Sequence, residues 1–140
     1  MDLEFFTQNW YLFAALIAII ALLSLEPLRR KSTGIKPISA LELPQLMNHE
    51  GALVLDVGEP AQFKKGHIPK AINLPIGQLQ KDLGRLEKYR KKGVPIVLSS
   101  RAPQKSNQAA TILKKNGFSN LCTLTGGLGS WEKENLPLER

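Results

Sequence analysis

Ala52-Leu53-Val54-Leu55-Asp56-Val57-Gly58-Glu59-Pro60, followed closely by Gly66-His67-Ile68-Pro69-Lys70-Ala71-Ile72-Asn73-Leu74-Pro75, decides the architecture. Ala52 to Val57 is an apolar run, broken only at Asp56, too short for a core helix and bounded by turn residues, which predicts a strand buried on both faces. Gly58, Glu59 and Pro60 then open a short helix around Ala61 to Lys65, and a second buried strand begins near Ala71 to Leu74.

The same alternation extends outward in both directions. Ser39 followed by Glu42 is a capping-box pattern ahead of Leu41, Leu43, Leu46 and Met47, whose spacing makes one apolar helical face. Gln78 to Lys92 places Leu79, Leu83, Leu86 and Tyr89 three and four apart, predicting one amphipathic helix or two short ones interrupted near Gly84. Pro95 to Leu98 reads as a strand, Gln104 to Asn116 as a helix capped by Gly117, and Leu121 to Leu124 as a further strand. Strand–helix crossovers of this kind predict an α/β domain, a mostly parallel sheet flanked by helices. Sites in such sheets form at the carboxyl ends of strands, which singles out Ser99 to Ser106.

Val54-Leu55-Asp56-Val57 and the block Gly66 to Pro75, with Gly117-Phe118, Leu121, Thr125-Gly126-Gly127 and Trp131 near the end, resemble the signature blocks of rhodanese domains from about Ile38 to Leu138. The resemblance implies a site cysteine directly after the fourth strand, in a loop of backbone amides with the next helix aimed at the sulfur. A helix terminus and a nest of N–H groups stabilise a thiolate and the anions of sulfur transfer. In register, Ser100 stands at that position, and Arg101, Ala102, Pro103, Gln104, Lys105 and Ser106 complete the expected anion or ligand loop; a one-residue slip selects Ser99 instead. A hydroxyl has no thiolate form and stores no transferable sulfur. Pro103 also removes an N–H donor, and Gly58 stands where the family often has arginine. Sulfur transfer by the usual route is therefore not expected, and no catalytic residue is assigned.

The remaining candidates are weaker. Cys122, the only cysteine, lies within a predicted strand and reads as structural; no disulfide and no multi-cysteine metal site is available within the chain, and no metal or cofactor is expected. The resemblance implies a structural, hydrogen-bonded His67 and a core Trp131. A triad of Asp56, His67 and Ser100 lacks a Gly-x-Ser-x-Gly elbow. His49 reads as a surface residue near a helix C-terminus.

Ahead of the domain, Phe5 to Leu25 carries no charge over 21 residues, just enough at about 1.5 Å per residue for a hydrocarbon core of about 30 Å. The reading is a single membrane-spanning helix over 5–25, a linker over 26–37 and the domain over 38–140. The acidic N-terminus and the lack of Ala-x-Ala argue against a cleaved signal peptide. Arg29, Arg30 and Lys31 place the domain on the cytoplasmic face of an inner membrane. All 19 basic residues lie from Arg29 onward, whereas three of the 12 acids precede it, so the remainder carries nine acids and a net charge of +10, suited to anionic headgroups. Scattered basic residues without aromatic interleaving argue against nucleic acid. The expected function is a membrane-tethered, non-catalytic module binding the bilayer and a membrane or cytosolic protein or a small anion. The alternative is a sulfurtransferase that uses Cys122 or a partner's cysteine.

Overall fold

The computed structural model describes the backbone from Asp2 to Arg140 and the side chains of residues 2–25 and 34–140. The chain divides into two compact units, Met1–Thr33 and Gly34–Arg140.

The first unit holds α1 (Leu3–Gln8) and α2 (Trp10–Thr33). The predicted uninterrupted span over 5–25 is broken at Asn9, whose backbone leaves helical geometry while its side-chain Nδ2 donates to the Phe5 carbonyl at 2.9 Å. Asn9 is the C-cap of α1, and the next helix begins at Trp10. Among the described residues no helix is long and apolar enough to cross a membrane. From Trp10 to Leu25 the large apolar side chains are nevertheless 38–70% exposed. Where a linker was expected, the backbone of α2 continues to Thr33; the side chains of 26–33, including the basic cluster Arg29-Arg30-Lys31, lie outside the described residues.

The second unit is a parallel five-stranded sheet in the order β1-β5-β4-β2-β3, with β1 Ile35–Ile38, β2 Leu53–Asp56, β3 Ile72–Asn73, β4 Ile96–Ser99 and β5 Leu121–Leu124. The helices are α3 (Leu43–Glu50), α4 (Pro60–Lys65), α5 (Ile76–Leu79), α6 (Glu87–Lys92), α7 (Pro103–Lys115) and α8 (Gly127–Lys133), with a 3-10 turn at Leu83–Leu86. Alternation along the central strands feeds two cores. Leu53, Leu55, Ile96 and Leu98 pack with Ala109, Ala110 and Leu113 of α7, while Val54, Val97 and Cys122 pack with Leu43, Leu128 and Trp131. Residues buried on alternate faces explain why these strands read as continuous apolar runs.

Two local expectations shift. The domain begins at Ile35, because the last three residues of the expected linker join Ile38 in pairing with β5, Ile35 opposite Leu121 through Ile38 opposite Leu124. The reciprocal Ser39 and Glu42 bonds form, each at 3.3 Å, but they close a turn ahead of α3. The stretch 78–92 is indeed divided, into the end of α5, the 3-10 turn containing Gly84, and α6.

Candidate functional site

The site lies where β2 and β4 end side by side, Asp56 opposite Ser99. Ser100 is the first residue beyond β4 and is 2% exposed. Its Oγ accepts the Ala102 N–H at 3.1 Å, and its carbonyl accepts the Leu128 N–H at 3.2 Å. The second bond requires the chain entering α8 to press against the Ser100 peptide. Gly127 makes this approach at φ +60, in the left-handed region, where an added Cβ would stand 2.2 Å from the Ser100 oxygen. The paired glycines 126–127 are the sequence feature that permits this contact, which was not read from them, and α8 itself was not predicted.

The predicted loop is shorter than expected. Pro103 occupies the first turn of α7 and Ala102 is its extended N-cap, so Gln104, Lys105 and Ser106 are helical and only Ser100 to Ala102 remain a turn. Proline is favoured at this helical position because its missing N–H has no intrahelical partner there. The Lys105 N–H donates to the Ala102 carbonyl at 3.0 Å and is not free for a ligand.

Arg101 and Lys105, expected to offer cations to an anion, are both paired. An Arg101 Nη lies 2.8 Å from Glu132 of α8, and the Lys105 Nζ lies 3.5 Å from Glu59. These pairs are partly exposed, so each holds the turn by about 1 kcal/mol at most. Neither acid partner was foreseen. Behind the turn, the Ser99 and Ser106 hydroxyls are buried without a hydrogen-bond partner.

Asp56 is 6% exposed, and its Oδ1 accepts the Gly58 N–H at 2.8 Å. Burial pushes its carboxyl above the ordinary value, opposed by that N–H and by the charges of His67 and Arg101. Gly58 brings this carboxylate toward Ser100: a Cβ there would stand 3.0 Å from Asp56 Oδ1 and 3.8 Å from Ser100 Oγ.

No hydrolase triad forms. His67 Nδ1–H donates to the Phe63 carbonyl at 2.8 Å, its ring stacks on Phe63 at 3.7 Å, and Nε2 faces Glu139 at 3.8 Å. The histidine thus ties α4 to the C-terminal segment, the structural role expected for it. Cys122 lies within β5, opposite Val97, two residues short of the end of β4. It is 5% exposed, and burial raises its thiol, with Lys36 opposing and Glu50 adding to the shift. This is the reverse of an activated nucleophile. Trp131 is buried, its indole N–H donating to the Pro137 carbonyl at 2.8 Å, and His49 is exposed in the last turn of α3.

The rhodanese-like domain family matches residues 39–134. An uncharacterised Escherichia coli protein, YibN, is 30% identical over 139 residues, 99% of this chain and 96% of that protein. A protein named sulfurtransferase from Allochromatium vinosum is 29% identical over 67% of this chain and 84% of its own length. The crystal structure of a rhodanese-related protein from Thermoplasma volcanium matches with a TM-score of 0.66 at 29% identity, covering 74% of this chain and 97% of that one. That chain is little more than the domain. Here Gly34–Arg140 likewise carries the five strands and both cores, so this unit has what it needs to fold alone. The chain belongs to the rhodanese-like domain family.

Proposed function

We propose that this protein is a non-catalytic rhodanese-like module, held at the cytoplasmic face of the inner membrane by its N-terminal unit and acting by binding a protein or a small anion. The observation that carries this reading is Ser100: the side chain directly after β4 is a buried, hydrogen-bonded hydroxyl. A hydroxyl in that place accepts no sulfane sulfur, whereas the start of α7 still favours negative charge. Arg101 and Lys105 can exchange their exposed carboxylate partners for a ligand at small cost. Thiosulfate titrated into isotope-labelled protein is expected to shift the amide signals of Ala102 and Gln104 saturably, and Arg101→Glu to weaken this by about fivefold or more. Uniform, non-saturating shifts would count against an anion site.

The tether is supported by apolar side chains exposed all round α2 from Trp10 to Leu25, a pattern that suits burial in lipid. The net positive charge downstream suits an anionic surface. In a vesicle flotation experiment the full chain is expected to float with lipid at high salt and the fragment Gly34–Arg140 to stay behind. A full chain that remains in the dense fraction would remove the tether.

The name of the Allochromatium relative favours a second reading, sulfur transfer with a partner protein's cysteine. The buried setting of Cys122 argues against this chain supplying the thiol itself.

A further inference from the structure

A second concavity lies away from Ser100. A groove of about 500 Å³ opens between α3, the beginning of β2 and the segment following α8. It takes in Leu53 and Val54, the first residues of β2, whereas the site described above follows the last. Its volume falls within the range of about 300–1,000 Å³ usual for small-molecule sites.

The walls are mostly apolar: Met47, Ala52, Pro69, Trp131, Leu136 and Pro137 supply much of the lining, with Asn48 as a neutral polar residue on it. Trp131 offers its ring but no donor, because its N–H is already used by Pro137. The one charged side chain on the groove is Lys70. Its backbone is held at φ +65, in the left-handed region that side-chain-bearing residues seldom adopt. Glu139 helps to fix it there, accepting the Lys70 N–H at 3.2 Å while also facing His67 at 3.8 Å. That carboxylate lies against the Lys70 amide rather than its ammonium. Among the described residues the Lys70 ammonium takes part in no ion pair.

A carbon-walled groove with one unneutralised cation on its lining complements a molecule with an apolar body and a single anionic head. We propose that this groove binds a single-chain aliphatic carboxylate, its chain against Met47, Trp131 and Leu136 and its head group at Lys70. The concave shape and small-molecule volume favour such an occupant over a protein surface, which needs a broader patch of about 800 Å² on each partner.

The test uses the fragment Gly34–Arg140, in which Trp131 is the only tryptophan, so its emission reports on the groove directly. Decanoate, decanol and decyltrimethylammonium are titrated in turn into the native fragment and into Lys70→Glu. Decanoate is expected to change the emission saturably and to bind about fivefold or more tighter than the ammonium amphiphile. Lys70→Glu, an exposed substitution that leaves the core untouched, is expected to reverse that order. Ala52→Phe, which enlarges a side chain lining the groove, is expected to abolish the signal in a fragment whose far-ultraviolet spectrum is unchanged. Equal affinity for all three amphiphiles, or no saturable change, overturns the proposal. So does a fragment that sediments as a dimer and binds none of them, since a second copy would then occupy the groove.

Discussion

Ser100→Cys is expected to take the chain from no measurable thiosulfate:cyanide sulfur transfer to turnover roughly 10²-fold or more above the native background. The substituted sulfur would occupy the place of an oxygen that already receives the Ala102 N–H at 3.1 Å, three residues before the thirteen-residue helix α7 begins at Pro103. An N–H donor and a helix N-terminus lower the pKa of a thiol from its ordinary value of about 8.5. Asp56 works in the opposite direction, because its Oδ1 crowds the same glycine, Gly58, that approaches Ser100. Its own raised pKa reflects burial that disfavours its charge and so weakens this opposition. Arg101 and Lys105 add attraction for thiosulfate once it displaces Glu132 and Glu59 from their exposed pairs. The pH dependence of alkylation, read peptide by peptide, should show the new thiol ionising well below Cys122. A new thiol no more acidic than Cys122 would mean that the turn no longer supports an anion.

Gly127→Ala should cost the domain about 3 kcal/mol or more. Two terms contribute. The left-handed backbone at φ +60 disfavours any side chain by about 1–2 kcal/mol. The new Cβ would also meet the Ser100 carbonyl at 2.2 Å, so either the bond to the Leu128 N–H or the position of Ser100 must give way. For a domain of this size such a loss lowers the melting temperature by about 12 °C or more. Gly93→Ala isolates the first term, because Gly93 has φ +70 but open space around its would-be Cβ. Urea unfolding of both variants separates strain from collision. Equal losses would mean that the contact between α8 and Ser100 is not needed to hold the turn.

The parts of the fold legible in the sequence are those where burial is two-sided. Leu53–Asp56 and Ile96–Ser99 are buried at every position, and Leu121–Leu124 at all but Thr123, so their apolar runs declare themselves without any tertiary information. Ile35–Ile38 is different. It contains Lys36 and Pro37, sits at the sheet edge and has its middle exposed, so only pairing with β5 makes it a strand. Asn9 ends α1 through a side-chain bond that hydropathy does not register.

At the site, Ser100 was legible because it follows a readable strand at family-like spacing. The extent of the loop was not. The sequence reading places Pro103 in the loop as a missing N–H donor, whereas its fixed φ and missing N–H suit the first turn of a helix. The pairing of Arg101 with Glu132, 31 residues away, leaves no local trace, since it depends on α8 folding back over the end of β4. Gly126 and Gly127, read from the sequence only as part of the family's closing pattern, carry no sign that the Ser100 carbonyl is what Gly127 approaches.

Thiocyanate formation by the native full chain, supplied with thiosulfate and cyanide and compared with Cys122→Ser, tests the central claim most directly. The buried hydroxyl of Ser100 and the raised thiol of Cys122 predict no turnover above the uncatalysed rate in either protein. Turnover by the native chain would contradict the account, and its loss in Cys122→Ser would transfer the chemistry to the thiol in β5.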